Sequence, residues 1–157
     1  MDTLAVEDLS TTALISVGET CERLVRFTRE DIARFAQLTG DTNPLHHDVQ
    51  AAQRARHGEI IASGQQTTAL MIGLAASHFS RHDDGQQREL LCLNFNFAFK
   101  APVFAEQELV LSWRVASIEW NAKLGGWLAH VDGRATVRHS PPSVVGRGTL
   151  LVKDGRG

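Results

Sequence analysis

The chain has 157 residues, enough for one domain around one hydrophobic core. Hydrophobic residues make up 43% and charged residues 22%, which argues against a disordered or fibrous chain. A net charge of -2 with no basic block gives no footprint for nucleic acid, and no apolar run reaches the roughly 20 residues of a bilayer span.

The opening Met1-Asp2-Thr3-Leu4 lacks a basic segment followed by an apolar one, so no secretory signal is expected. Cys21 and Cys92 form no ligand-spaced cluster and read as reduced thiols of a cytoplasmic protein. Residues 1–12 are polar and weakly patterned and read as a poorly ordered lead-in.

A first strand is expected over 20–27, around Leu24, Val25 and Phe27. Thr28 followed by Asp31 has the spacing of a capping box, and Ile32, Phe35, Ala36 and Leu38 then recur at helical spacing. Gly40 is the natural stop, because glycine takes the left-handed cap conformation. Residues 48–56 read as a second short helix capped by Asp48. The segment 65–79 is the least polar helix; its apolar residues cover most of the circumference, so burial on most sides is expected.

From Leu90 the period becomes two. Leu91, Leu93, Phe95, Phe97 and Phe99 alternate with Cys92, Asn94, Asn96 and Ala98, so one core-facing ladder is expected. Further strands are expected over 108–120, with Leu109, Leu111, Trp113 and Val115 on one side, and over 127–139 and 144–153. Trp120 and Trp127 read as sheet packing. Consecutive strands with short connections favour an antiparallel sheet, here wrapped around the apolar helix.

Between the helix ending at Gly40 and the helix starting near Gly64 lie Asp41 and His46, a carboxylate and an imidazole five positions apart. Asn43-Pro44 forces a turn between them, because proline pushes the preceding residue out of the helical region. Such a backbone lets the two side chains converge for acid–base chemistry. Gly64 has no Cβ and stands at a helix start, where N–H groups lack intrahelical partners and negative charge is favoured. Ser63 has the position of an N-cap. The remaining histidines (47, 57, 78, 82, 130 and 139) match no zinc-ligand spacing, so no metal site is expected.

The run Leu38-Thr39-Gly40-Asp41-Thr42-Asn43-Pro44-Leu45-His46 closely resembles the hydratase motif of the MaoC-like, (R)-specific enoyl-CoA hydratases. The resemblance implies an α+β hotdog fold, one antiparallel sheet wrapped around a central helix, over 1–157. It implies that Asp41 and His46 hold one water and share the acid–base work of a syn hydration. Asn43 would orient the pair or hold the turn that spaces them, and the Gly64 N–H would be the oxyanion donor. Substrates would be thioesters of coenzyme A or acyl-carrier-protein, with no metal or redox cofactor and with a homodimer or higher homo-oligomer as the working form.

The chain departs from the family pattern after Gly64. Gln65 and Gln66 follow the glycine where an apolar residue is common, which together with Ser63 makes the expected acyl-binding region polar and favours a short or polar acyl group. Two other readings compete. A hotdog thioesterase usually carries an acid on the central helix, and 65–79 has none. A non-catalytic thioester-binding or partner-supporting subunit would not need the Asp41/His46 pair.

Overall fold

The structure, a computed structural model, describes residues 12–157. The lead-in expected over 1–12 therefore lies outside the described residues, apart from Thr12. Five strands form one sheet: β1 (Thr20–Arg26), β2 (Arg88–Phe99), β3 (Glu108–Asn121), β4 (Gly126–Val137) and β5 (Pro142–Asp154). The helices are α1 (Arg29–Thr39), α2 (Val49–Arg54) and α3 (Gly64–Phe79), with a 3₁₀ turn at Pro44–His46.

All strand pairs are antiparallel, in the order β1-β3-β4-β5-β2. α3 packs against every strand, so the sheet wraps the helix, and this is the hotdog arrangement. β2 and β3 are consecutive in the chain but not neighbours. Residues 100–107 carry the chain from one edge of the sheet across to the middle, and Ala62 and Ile61 pair with Val103 and Phe104 on the way.

The core explains why these residues make this sheet. Leu109, Leu111, Trp113 and Val115 of β3 are all buried, as their alternation requires. The Trp113 indole donates a 2.7 Å hydrogen bond to the Met71 carbonyl of α3, tying helix to sheet. Across the strands each inward aromatic faces a glycine: Trp113 pairs with Gly133, Phe97 with Gly146 and Phe95 with Gly148. A Cβ on Gly133 would come within 2.4 Å of the Trp113 ring, so the ring occupies the space a side chain would fill. At the far end of α3 the almost fully buried Arg88 holds Asp84 through two hydrogen bonds and also donates to the Leu14 and Arg81 carbonyls. That contact holds the Asp84 carboxyl well below the usual carboxylate range.

One expectation is corrected and another refined. The ladder read along β2 is broken by a bulge at Leu93, between Cys92 and Asn94. An extra residue reverses which face the preceding side chains meet, so Leu91 lies opposite in sense to Phe95 and Phe97, and both Leu91 and Leu93 are exposed. Phe99 is also exposed, at 58%. Second, α3 is covered on most sides but keeps one open stripe. Gln66, Thr67, Met71, Leu74, Ala75 and Phe79 are buried, whereas Gln65, Ala69 and Ser77 face outward. The wrapped sheet meets the helix through every strand but does not reach that stripe. Trp120, half-exposed, packs edge-to-face on Trp127 across the β3–β4 pair, the sheet packing expected of both.

Candidate active site

The site begins with a helix that is made to stop. Thr28 and Asp31 form the capping box that starts α1. Gly40 ends it at φ 73°, a conformation in which glycine carries no steric penalty. The Asp41 N–H then bonds the Ala36 carbonyl at 2.9 Å, fixing the carboxylate just beyond the helix end.

The next turn is held by side chains shorter than the loop they organise. Asp41 Oδ1 accepts from the Asn43 N–H at 3.0 Å, and Asn43 Oδ1 accepts from the Leu45 N–H at 3.1 Å. Pro44 opens the 3₁₀ turn, where its fixed φ suits the first position. Asn43 thus holds the turn, through a bond to backbone, and its side chain reaches neither Asp41 nor His46. The turn delivers His46 to a nearly closed position, 5% exposed.

His46 and Asp41 meet there. Nε2 of His46 lies 3.3 Å from Oδ2 of Asp41, whose side chain is 27% exposed. On the other side of the ring Nδ1 lies 2.7 Å from the Ile61 carbonyl. A carbonyl can only accept, so Nδ1 carries the hydrogen. In the neutral ring Nε2 is then left with a lone pair facing a carboxylate. At 3.3 Å the two atoms are in direct contact, close enough to share a proton but too close for a water to sit between them. A water would instead bind beside the pair, on the open side of the partly exposed carboxylate.

Ile61 also links the pair to α3. Its N–H donates to the Leu45 carbonyl, so residues 45–46 and 61 hold each other in both directions. Three positions later α3 starts at Gly64, with Ser63 as N-cap accepting from the Gln66 N–H. Among the described residues the Gly64 N–H has no protein acceptor. It borders a cavity of about 320 Å³ whose other wall is Phe99 to Val103. The Phe99 ring lies over Gly64, where a Cβ would come within 2.4 Å of it. Glycine there has a packing reason as well as an open N–H.

Not all of the expected residues converge. Asp41 borders a different cavity, of about 660 Å³, with Ala36, Gln37, Thr42 and His47. Gln65 is exposed. Gln66 is buried and turned towards α1, where its amide donates to the Asp31 carbonyl. Among the described residues its Oε1 has no partner. Neither Gln65 nor Gln66 lines the cavity beside Gly64. His57 packs edge-to-face on Phe104. No three of His, Cys, Asp and Glu converge as a metal-ligand group among the described residues.

Residues 13–125 match the MaoC like domain family. The chain belongs to that family. A mitochondrial 3-hydroxyacyl-acyl-carrier-protein dehydratase of Solanum lycopersicum is 22% identical over 88% of this chain and 78% of its own. The (R)-specific enoyl-CoA hydratase of Aeromonas caviae is 28% identical over 79% of this chain and 95% of its own. The solved (R)-hydratase of A. caviae superposes with a TM-score of 0.77 at 23% identity, covering 88% of this chain and 98% of that one. An (R)-hydratase of Pseudomonas aeruginosa gives 0.74 at 23%, over 89% and 83%. These likenesses carry the hotdog fold.

Replacing Asn43 with alanine removes the acceptor that caps the 3₁₀ turn. Asn43→Ala is expected to lower unfolding free energy by about 1 kcal/mol in urea denaturation, as loss of a cap does. Amide exchange at Leu45 should quicken with it. An unchanged unfolding curve would show that the turn stands without that side chain.

Proposed function

We propose that this MaoC-family chain adds water reversibly to a 2-enoyl thioester, giving an (R)-3-hydroxyacyl thioester. The Asp41–His46 contact, with Nδ1 pinned to a carbonyl and Nε2 left basic, is the observation that carries the reading. A water held beside Oδ2 and Nε2 loses a proton to the pair as its oxygen bonds the β carbon. The electron pair moves through the double bond to the thioester oxygen, where the Gly64 N–H at the start of α3 stabilises it. The proton held by the pair then goes to the α carbon, and the carbonyl re-forms. Water is added whole, and because both parts come from one side the addition is syn. The buried His46 and the short turn hold the two groups in place before substrate arrives, which favours the reaction by orientation.

The absence of any Asp or Glu from α3 leaves a thioesterase of the helix-acid kind without its acid. Relatives named as acting on coenzyme A and on acyl-carrier-protein thioesters both support the thioester class.

Crotonyl-CoA hydration, followed by loss of enoyl absorbance, is the direct test. Asp41→Asn and His46→Gln should each lower kcat by roughly 10²- to 10⁴-fold, the range general acid–base groups contribute. Circular dichroism should be unchanged. Turnover at the wild-type rate in either variant would refute the assignment.

We also infer that the working form is a dimer of this chain. Among the described residues β2 bonds only β5, which leaves its other backbone edge open, and Leu91, Leu93 and Phe99 of β2 are exposed. Sedimentation is expected to give a dimer for the wild type and a monomer for the double variant Leu91→Lys, Leu93→Lys. A monomeric wild type would contradict it.

A further inference from the structure

The cavity beside Gly64 has one charged residue in its lining, Lys100. The other lining residues are apolar or small, with Thr67 the sole hydroxyl. Lys100 is exposed, and among the described residues it forms no ion pair. Most arginines close to α1, β1 and the end of α3 are by contrast engaged with carboxylates, among them Arg26, Arg29, Arg34, Arg81 and Arg88. A free ammonium at the mouth of an otherwise uncharged cavity is a distinct electrostatic feature.

Its position is fixed by backbone, not by the side chain. The N–H groups of Lys100 and Ala101 both donate to the carbonyl of buried Ser143, at 2.8 and 3.2 Å. Val103 is anchored to Ala62 by a 2.8 Å bond, and Phe99 is seated on Gly64. The wall that carries Lys100 is therefore tied at both ends to the wall that carries the open Gly64 N–H. The Lys100 side chain is left free to meet a group arriving from outside.

About 320 Å³ is at the small end of ligand pockets. It has room for a thioester and part of a slender pantetheine arm. A phosphate on the far end of that arm stays towards solvent, which the exposed Lys100 side chain also reaches. Resting on the thioester reading above, we propose that Lys100 receives the phosphate ester that ends the pantetheine arm, a group common to coenzyme A and to the prosthetic arm of a carrier protein. A lysine ammonium binds phosphate as a point charge with three rotatable donors, which tolerates either carrier.

The test compares three substrates: crotonyl-CoA, crotonyl-phosphopantetheine and crotonyl-pantetheine, the last without phosphate. Lys100→Ala is expected to cut the preference in kcat/KM for the phosphorylated thioesters over crotonyl-pantetheine by roughly tenfold, the scale of one hydrogen bond to a charged group. The loss should appear in KM rather than kcat, and Lys100→Arg should restore most of it. An equal effect on all three substrates, or on none, would overturn the proposal. An effect confined to crotonyl-CoA would overturn it too, by moving the contact to the nucleotide's own phosphates. If the wild type turns over none of them, the hydration reading fails separately, and calorimetry with coenzyme A alone decides. Weaker binding by Lys100→Ala than by the wild type then supports the phosphate contact, and equal binding refutes it.

Discussion

The hydrogen bond from His46 Nδ1 to the Ile61 carbonyl is the contact on which the site depends. It fixes the tautomer, and so leaves Nε2 as the basic atom facing Asp41. It also fixes place, because Ile61 belongs to the segment that runs into α3. Without it, the imidazole would be free to turn its other nitrogen to Asp41. The reciprocal bond from the Ile61 N–H to the Leu45 carbonyl makes the joint two-sided, so turn and segment move together.

The sheet makes that joint rigid. α3 is held on its buried face by every strand, and through the Met71 carbonyl by Trp113. The glycines opposite Trp113, Phe97 and Phe95 let large rings lie flat against the sheet, so the helix beds on aromatic surface. A helix held along its length presents its N-terminus at a constant point. The N-terminal N–H groups and their partial positive charge then need no rearrangement when negative charge develops nearby. The second crossing, residues 100–107, closes the cavity at that same N-terminus.

Much of this was legible in the sequence, wherever the determining interaction is local. Thr28 and Asp31 announce the start of α1 and Gly40 its end because caps involve neighbours in the chain. Asp41, Asn43, Pro44 and His46 were legible for the same reason, since a tight turn is written in the residues that make it. The alternation in β3 held from Leu109 to Val115 because that stretch keeps an unbroken register with β4, its own irregularity falling only after Val115. β2 was misread because a bulge is decided by the partner strand, and Leu93 carries no mark that it will be skipped. The open stripe of α3 was missed because composition around a helix does not say where a sheet will stop short of it. The Ile61 carbonyl has no side-chain signature at all. Gln66 was placed at the cavity because it follows Gly64, but two residues along a helix turn a side chain to the other side, and it faces α1.

The protonation pattern of the His46 ring is the most direct measure of this account. Long-range nitrogen–proton NMR on imidazole-labelled protein, at a pH where the ring is neutral, reads which nitrogen bears the hydrogen. A hydrogen on Nδ1, with Nε2 unprotonated and shifting when Asp41 is replaced by asparagine, is the predicted result. A neutral ring carrying its hydrogen on Nε2 would contradict the account, because Nδ1 could not then be bonded to the Ile61 carbonyl and no basic nitrogen would face the carboxylate.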